Sequence, residues 1–170
     1  AAAGVLMLPG GLINAAVSVA AGTLFDRFGA RGPVSIGFAC SALASAMLMI
    51  ATPETPIWYM VACHIIMMIG VPLAMSPCQT HALASIPPQL NSDGSTIMNT
   101  LQQVLGAICT AVATCLLAAG QNTYFAAGGT DSALAFTEGS HIGFAFTLIM
   151  AVLGFFLAFR INLQKEQSAQ

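Results

Sequence analysis

His64 is the one ionisable side chain set well inside a long apolar run. An ionisable group at membrane depth is a functional candidate by default. A neutral imidazole hydrogen-bonded between neighbouring segments makes a smaller demand and is the favoured reading. His81 and His141 fall near the ends of apolar runs, where interfacial positions are expected. Cys40, Cys63, Cys78, Cys109 and Cys115 form no CxxC pair and read as small hydrophobes. A zinc centre would need clustered His and Cys ligands, and this spacing offers none. No phosphate-binding GxxxxGK and no GxSx nucleophile turn occurs, and no Asp or Glu lies inside an apolar run. No enzymatic function, metal or cofactor is expected, and carboxylates in this segment alone cannot relay protons.

Uncharged polar residues inside the apolar runs carry more information. Asn99, Gln103, Gly106, Thr110 and Thr114 are spaced to share one helix face, as are Gly11, Asn14, Ser18 and Gly22. Small residues allow close helix approach and amides hydrogen-bond across it, so the Gly, Ser and Thr positions read as interhelical glue. Asn14, Gln102 and Gln103 are costly against lipid and are expected to face a water-filled cavity. A third run carries Met67, Met68, Gly70, Pro72, Met75, Pro77 and Gln79. Its prolines free carbonyls that neighbours must satisfy, and its flexible methionines suit a surface for varied apolar ligands.

These residues need elements to hold them, and composition dictates which. Of 170 residues, 57% are hydrophobic and 6% charged, whereas a soluble domain carries about 25% charged residues. Five stretches of roughly 20 apolar residues, at about 2–22, 34–52, 57–83, 96–119 and 141–160, contain no Asp, Glu, Lys or Arg. They are too long and too uniform for barrel strands. The expected fold is an all-α polytopic bundle of about five membrane-spanning helices in a lipid bilayer. Net charge is −2, and no basic patch exists for nucleic acid. Ala1 opens inside an apolar run without a methionine, so the sequence reads as part of a longer chain.

Charge placement predicts orientation. Arg27 and Arg31 lie in the first connection, and Arg160 and Lys165 lie at and beyond the end of the fifth run. All fall on one side of a five-pass topology, which the positive-inside rule assigns to the cytoplasm. The C-terminal tail 161–170 would then be cytoplasmic, in a cell membrane. The opposite side holds Glu54, Asp131 and Glu138, with 120–140 expected as a polar outer loop and Trp58 and Tyr59 at the interface. Pro87-Pro88 should end the third helix, and Ser92-Asp93-Gly94-Ser95 should supply turn and cap residues for the fourth.

Gly22, Asp26, Arg27, Gly29 and Arg31 make the sharpest local pattern: Gly22 for close helix approach, Asp26 to cap or pair, Gly29 for a tight reversal. This pattern resembles the cytoplasmic loop signature of the major facilitator superfamily, with Ala30 at a usually basic position. Leu8-Pro9-Gly10-Gly11 and Met98-Asn99-Thr100-Leu101-Gln102-Gln103-Val104-Leu105-Gly106 are similar to stretches of its fourteen-helix drug:proton antiporters, Gln102 standing at a usual arginine. The likeness covers most of 8–120 and implies the last five of fourteen helices.

The resemblance implies proton-coupled efflux of drugs or other small amphipathic compounds. Asn14, Met68, Gln102 and Gln103 would line the substrate cavity, and the Asp26–Arg31 loop would act as a latch at the cytoplasmic gate. The missing N-terminal helices would be partners and would carry the proton-binding acid. Two alternatives remain: an exporter of a specific metabolite or peptide, and a non-transporting membrane module. A transporter segment should turn the two polar stripes toward an open concave face; a self-sufficient module should bury them against each other.

Overall fold

The computed structural model describes residues 2–160. Five helices account for most of them: α1 (Ala2–Phe28), α2 (Arg31–Leu48), α3 (Ile57–Ala84), α4 (Asn91–Ala126) and α5 (Ser132–Ala158). A single 3₁₀ turn, Pro88–Leu90, precedes α4. The expected cytoplasmic tail, with Lys165, lies outside the described residues.

Local chemistry sets each boundary. α1 stops at Gly29, whose φ of 71° lies in the left-handed region that only glycine enters cheaply. Its N–H still bonds the Phe25 carbonyl at 2.9 Å. Chain direction reverses within two residues, and Pro33 falls in the first turn of α2, where a helix lacks donors' partners anyway. Gly29→Ala should therefore cost about 1 kcal/mol, the penalty of a left-handed L-residue, read as a lowered melting temperature of the full-length protein.

Two expectations about the ends of helices need correcting. The segment 120–140 is not a loop: α4 continues through Gln121, Asn122 and Thr123 to Ala126, and α5 starts at Ser132. Backbone bonds propagate a helix through polar side chains, so falling hydropathy does not mark its end. Gly128, at φ 90°, does, and the Gly129 N–H returns to the Tyr124 carbonyl at 3.1 Å. Asp131 then caps α5, accepting from the Ala133 N–H at 2.8 Å. At the other end of α4, Ser92–Ser95 lie inside the helix and do not cap it.

The five helices match the expected all-α membrane bundle, and α2 differs from the others in composition. Among the described residues, four helical stretches are long and apolar enough to span a bilayer by length and composition alone: Leu6–Phe28, Ile57–Ala84, Pro88–Ala126 and Ser132–Ala158. The 18-residue α2 is not among them; it opens on Arg31 and carries Ser35, Ser41 and Ser45. Its position explains the difference. The main packing pairs run α1 on α3, α3 on α2, α2 on α5 and α5 on α4. That makes a row in the order α1, α3, α2, α5, α4, with α2 at its centre. A helix walled by protein on both flanks needs fewer apolar side chains than one facing lipid.

Each interface in the row closes on a glycine. A Cβ on Gly37 of α2 would sit 2.5 Å from the Ala74 backbone nitrogen and 2.7 Å from the Gly70 carbonyl of α3. Gly120 of α4 meets the backbone of Gly139 of α5 in the same way, and Gly154 of α5 receives the Phe38 ring of α2. Gly10 of α1 receives the His64 imidazole. Without a hydrophobic drive between helices in lipid, such approaches supply the van der Waals contact that holds the bundle. The outward faces are apolar: Leu12 is 73% exposed and Val19 75%. Exposure of that kind requires lipid or further helices around the row.

Candidate substrate groove

A groove of about 560 Å³ lies between α2, α3 and α4. Phe38, Val71, Ala74, Met75, Cys78, Ala82 and Met98 give it apolar walls, and Gln79 of α3 and Gln102 of α4 bring amides to it. Both glutamines are half-buried. The Ser41 hydroxyl also lines it but donates to the Gly37 carbonyl of its own helix at 3.0 Å. Small-molecule sites combine such a volume, mostly apolar walls and a few placed polar groups.

Of the four residues expected to line a cavity, only Gln102 lies in this groove. Gln103, about 100° further round the helix, falls on an exposed face with Asn99, Gly106, Thr110 and Thr114. The hydroxyls of Thr110 and Thr114 donate to their own helix, at the Gly106 and Thr110 carbonyls (2.8 and 2.9 Å). The glue expected of this stripe is therefore absent within the described chain. On α1, Gly11, Ser18 and Gly22 are likewise exposed, and a Cβ at Gly11 or Gly22 would meet nothing within 4 Å. The stripes stand on the two end helices of the row and are not buried against each other.

Asn14 and Met68 do come together, elsewhere. The Asn14 side-chain amide donates to the Met68 backbone carbonyl at 3.2 Å, with the Met68 sulfur at 3.8 Å. His141, expected at an interface, makes the kind of hydrogen bond expected of His64. His141 sits ten residues into α5, not at a helix end, and its Nε2 is 2.8 Å from the Ala51 carbonyl. It thereby joins α5 to the connection after α2. His64 instead packs on Gly10 and lines an apolar pocket of about 280 Å³ with Met7, Met67 and Phe144.

At the opposite end of α2, the Arg31 guanidinium lies 4.8 Å from the centre of the Phe159 ring. This contact sets the α1–α2 reversal beside the end of α5, so Arg27, Arg31 and Arg160 share one end of the bundle. Asp26 and Arg27 are exposed in the last turn of α1. Gly29 provides the reversal expected of it, whereas Gly22 makes no close helix contact here.

Residues 1–111 match the family model of the Major Facilitator Superfamily. The chain belongs to the major facilitator superfamily. It is a multi-pass membrane protein of a transporter family. It is 40% identical over 156 residues to the lincomycin resistance protein LmrB of Listeria monocytogenes, covering 89% of this chain and 33% of that protein. Identity to LmrB of Bacillus subtilis is 37% over 163 residues, 93% of this chain and 34% of the relative. The riboflavin transporter RibZ of Clostridioides difficile is 26% identical over 109 residues, 64% of this chain and 24% of the relative. The chain thus spans about a third of the length of the LmrB proteins it matches. No solved structure matches it significantly.

In a facilitator, the groove gains its meaning from its place in the row. It opens where α4 leaves α3, near the end of α3 that leads to Pro87-Pro88 and the 3₁₀ turn. The sequence pattern found Gln102 but gave no sign that Gln79 would stand with it. The available signal was the amide of Gln79 in an otherwise apolar stretch, which needed the α3–α4 pairing to become specific.

Proposed function

We propose that the full-length protein is a drug exporter of the plasma membrane, driven by proton exchange, and that this segment supplies part of its substrate path. The observation that carries the reading is the apolar groove with amides from two helices. An amphipathic compound would bury its hydrocarbon against Met75, Met98 and Phe38 and hydrogen-bond Gln79 or Gln102. The likeness to lincomycin resistance proteins supports drugs as cargo. The exposed stripes of α1 and α4, including Gln103, would face the cavity shared with the other half, as in transporters that rock around a midplane site. The proton-carrying acid would lie in the remaining helices, the Arg27–Arg31 end would be cytoplasmic, and the Asp26–Arg31 reversal would latch the inner gate.

Similarity to a riboflavin transporter keeps a second reading in view, export of one polar metabolite through the same groove. One experiment separates them. The full-length protein in an efflux-deficient host should exclude ethidium and raise lincomycin tolerance, and an uncoupler should abolish both. If the reversal latches the gate through one charge-assisted bond made during transport, Asp26→Asn should slow exclusion about tenfold at unchanged membrane abundance. Normal membrane expression with no exclusion of either compound, but uptake or loss of riboflavin, would overturn drug export in favour of the metabolite.

A further inference from the structure

Asn14 has a partner that its helix face alone would not suggest, and Pro72 provides it. In an α-helix the carbonyl of residue 68 accepts the N–H of residue 72. Residue 72 is a proline inside α3, so that donor does not exist. The same carbonyl receives the Asn14 amide of α1 at 3.2 Å. Asn14 is half-buried and Pro72 buried, so water offers no easy replacement. We infer that Asn14 is a positioning residue, a clamp that satisfies the Met68 carbonyl vacated by Pro72 and ties α1 to the first half of α3.

The consequence for movement follows from what lies on each side of the proline. Residues before it, His64 and Met68, pack on α1 through Gly10 and Asn14. Those after it, Met75, Cys78, Gln79 and Ala82, form the α3 wall of the groove. With the first half held by the clamp, bending at Pro72 moves the groove wall and leaves the α1 contact in place. This role for Asn14 rests on the transport reading only where movement is concerned; the clamp itself does not.

The test is a double-mutant cycle in the full-length protein, read first as thermal stability in detergent. Asn14→Leu should shift the folding equilibrium about three- to tenfold toward the unfolded state, the range for one interhelical bond and one orphaned carbonyl. Pro72→Ala returns a backbone N–H to Met68, so adding Asn14→Leu to it should change nothing further. Asn14→Asp, when ionised, loses the donor and turns a charge on the carbonyl, so at high pH it should cost at least as much as Asn14→Leu. Equal losses in both backgrounds would overturn the clamp. If Asn14→Leu fails to reach the membrane, recovery in the Pro72→Ala background supports it and continued failure overturns it. In transport assays, Asn14→Leu should lower the maximal rate at unchanged half-saturation; raised half-saturation at unchanged maximal rate would make Asn14 a substrate contact. A wild type that transports nothing would sink the export reading alone, since the stability cycle still decides the clamp.

Discussion

Gly37→Leu is expected to abolish well-folded protein, the largest single-residue effect in this segment. Even the first carbon of a side chain at Gly37 would lie 2.5 Å from the Ala74 nitrogen and 2.7 Å from the Gly70 carbonyl. Backbone atoms cannot rotate aside, so α2 and α3 would have to part along their contact. Overpacking costs about 1–3 kcal/mol where side chains can adjust, and here they cannot. The α2–α3 pair is the middle of the row, so its loss also detaches α1 from α5 and α4. Gly70→Leu should fail for the reciprocal reason, since a Cβ there meets the Gly37 carbonyl and Ser41 hydroxyl at 2.7 Å. Gly143 of α5 provides the contrast: nothing lies within 4 Å of its added Cβ. Gly143→Ala should stabilise by roughly 0.5–1 kcal/mol through helix propensity alone. Detergent-extracted full-length protein followed by gel filtration against temperature will show whether the two glycines differ in sign.

Gln102→Leu should have the second-largest effect, on transport and not on folding. Removing one amide from the groove deprives a hydrogen-bonding substrate of a partner in an apolar setting, a loss of about 1–3 kcal/mol. Half-saturation for such a substrate should rise at least fivefold, and Gln79→Leu should act on the same compounds. For a purely hydrocarbon cation, which needs no amide, either change should be near neutral. A general loss of transport for all compounds would instead mean that Gln102 supports the helix packing. Gln103→Ala, on the outward stripe, should leave half-saturation at the groove unchanged.

Much of this arrangement was legible in the sequence because it depends on local or compositional rules. Scarce charge dictated helices in lipid, Gly29 marked the reversal after Asp26 and Arg27, and Pro87-Pro88 marked the end of α3. The ends of α4 and α5 were not legible from hydropathy, because helices continue through Asn122 and Ser132 where apolarity has faded. The central place of α2 was not legible, because protein contact on both flanks leaves no trace in a hydropathy window. Partner choice was the deeper gap. Pro72 announces an orphaned carbonyl at Met68, but only the pairing of α1 with α3 reveals Asn14 as its donor. Likewise, Gly37, Gly70, Gly120 and Gly139 differ from Gly11 and Gly22 only in what faces them. The groove residues Gln79 and Gln102 belong to different helices and could not be joined by spacing.

Cys78 lines the groove and offers a direct probe of its use. In the full-length protein with Cys78 as the sole cysteine and transport intact, the rate of alkylation by N-ethylmaleimide would be measured with and without saturating ethidium. If substrate occupies the groove, ethidium should slow labelling severalfold, and the Gln102→Leu form should need more of a hydrogen-bonding substrate for equal protection. Identical labelling rates with and without saturating substrate, while export proceeds normally, would show that the compounds pass elsewhere.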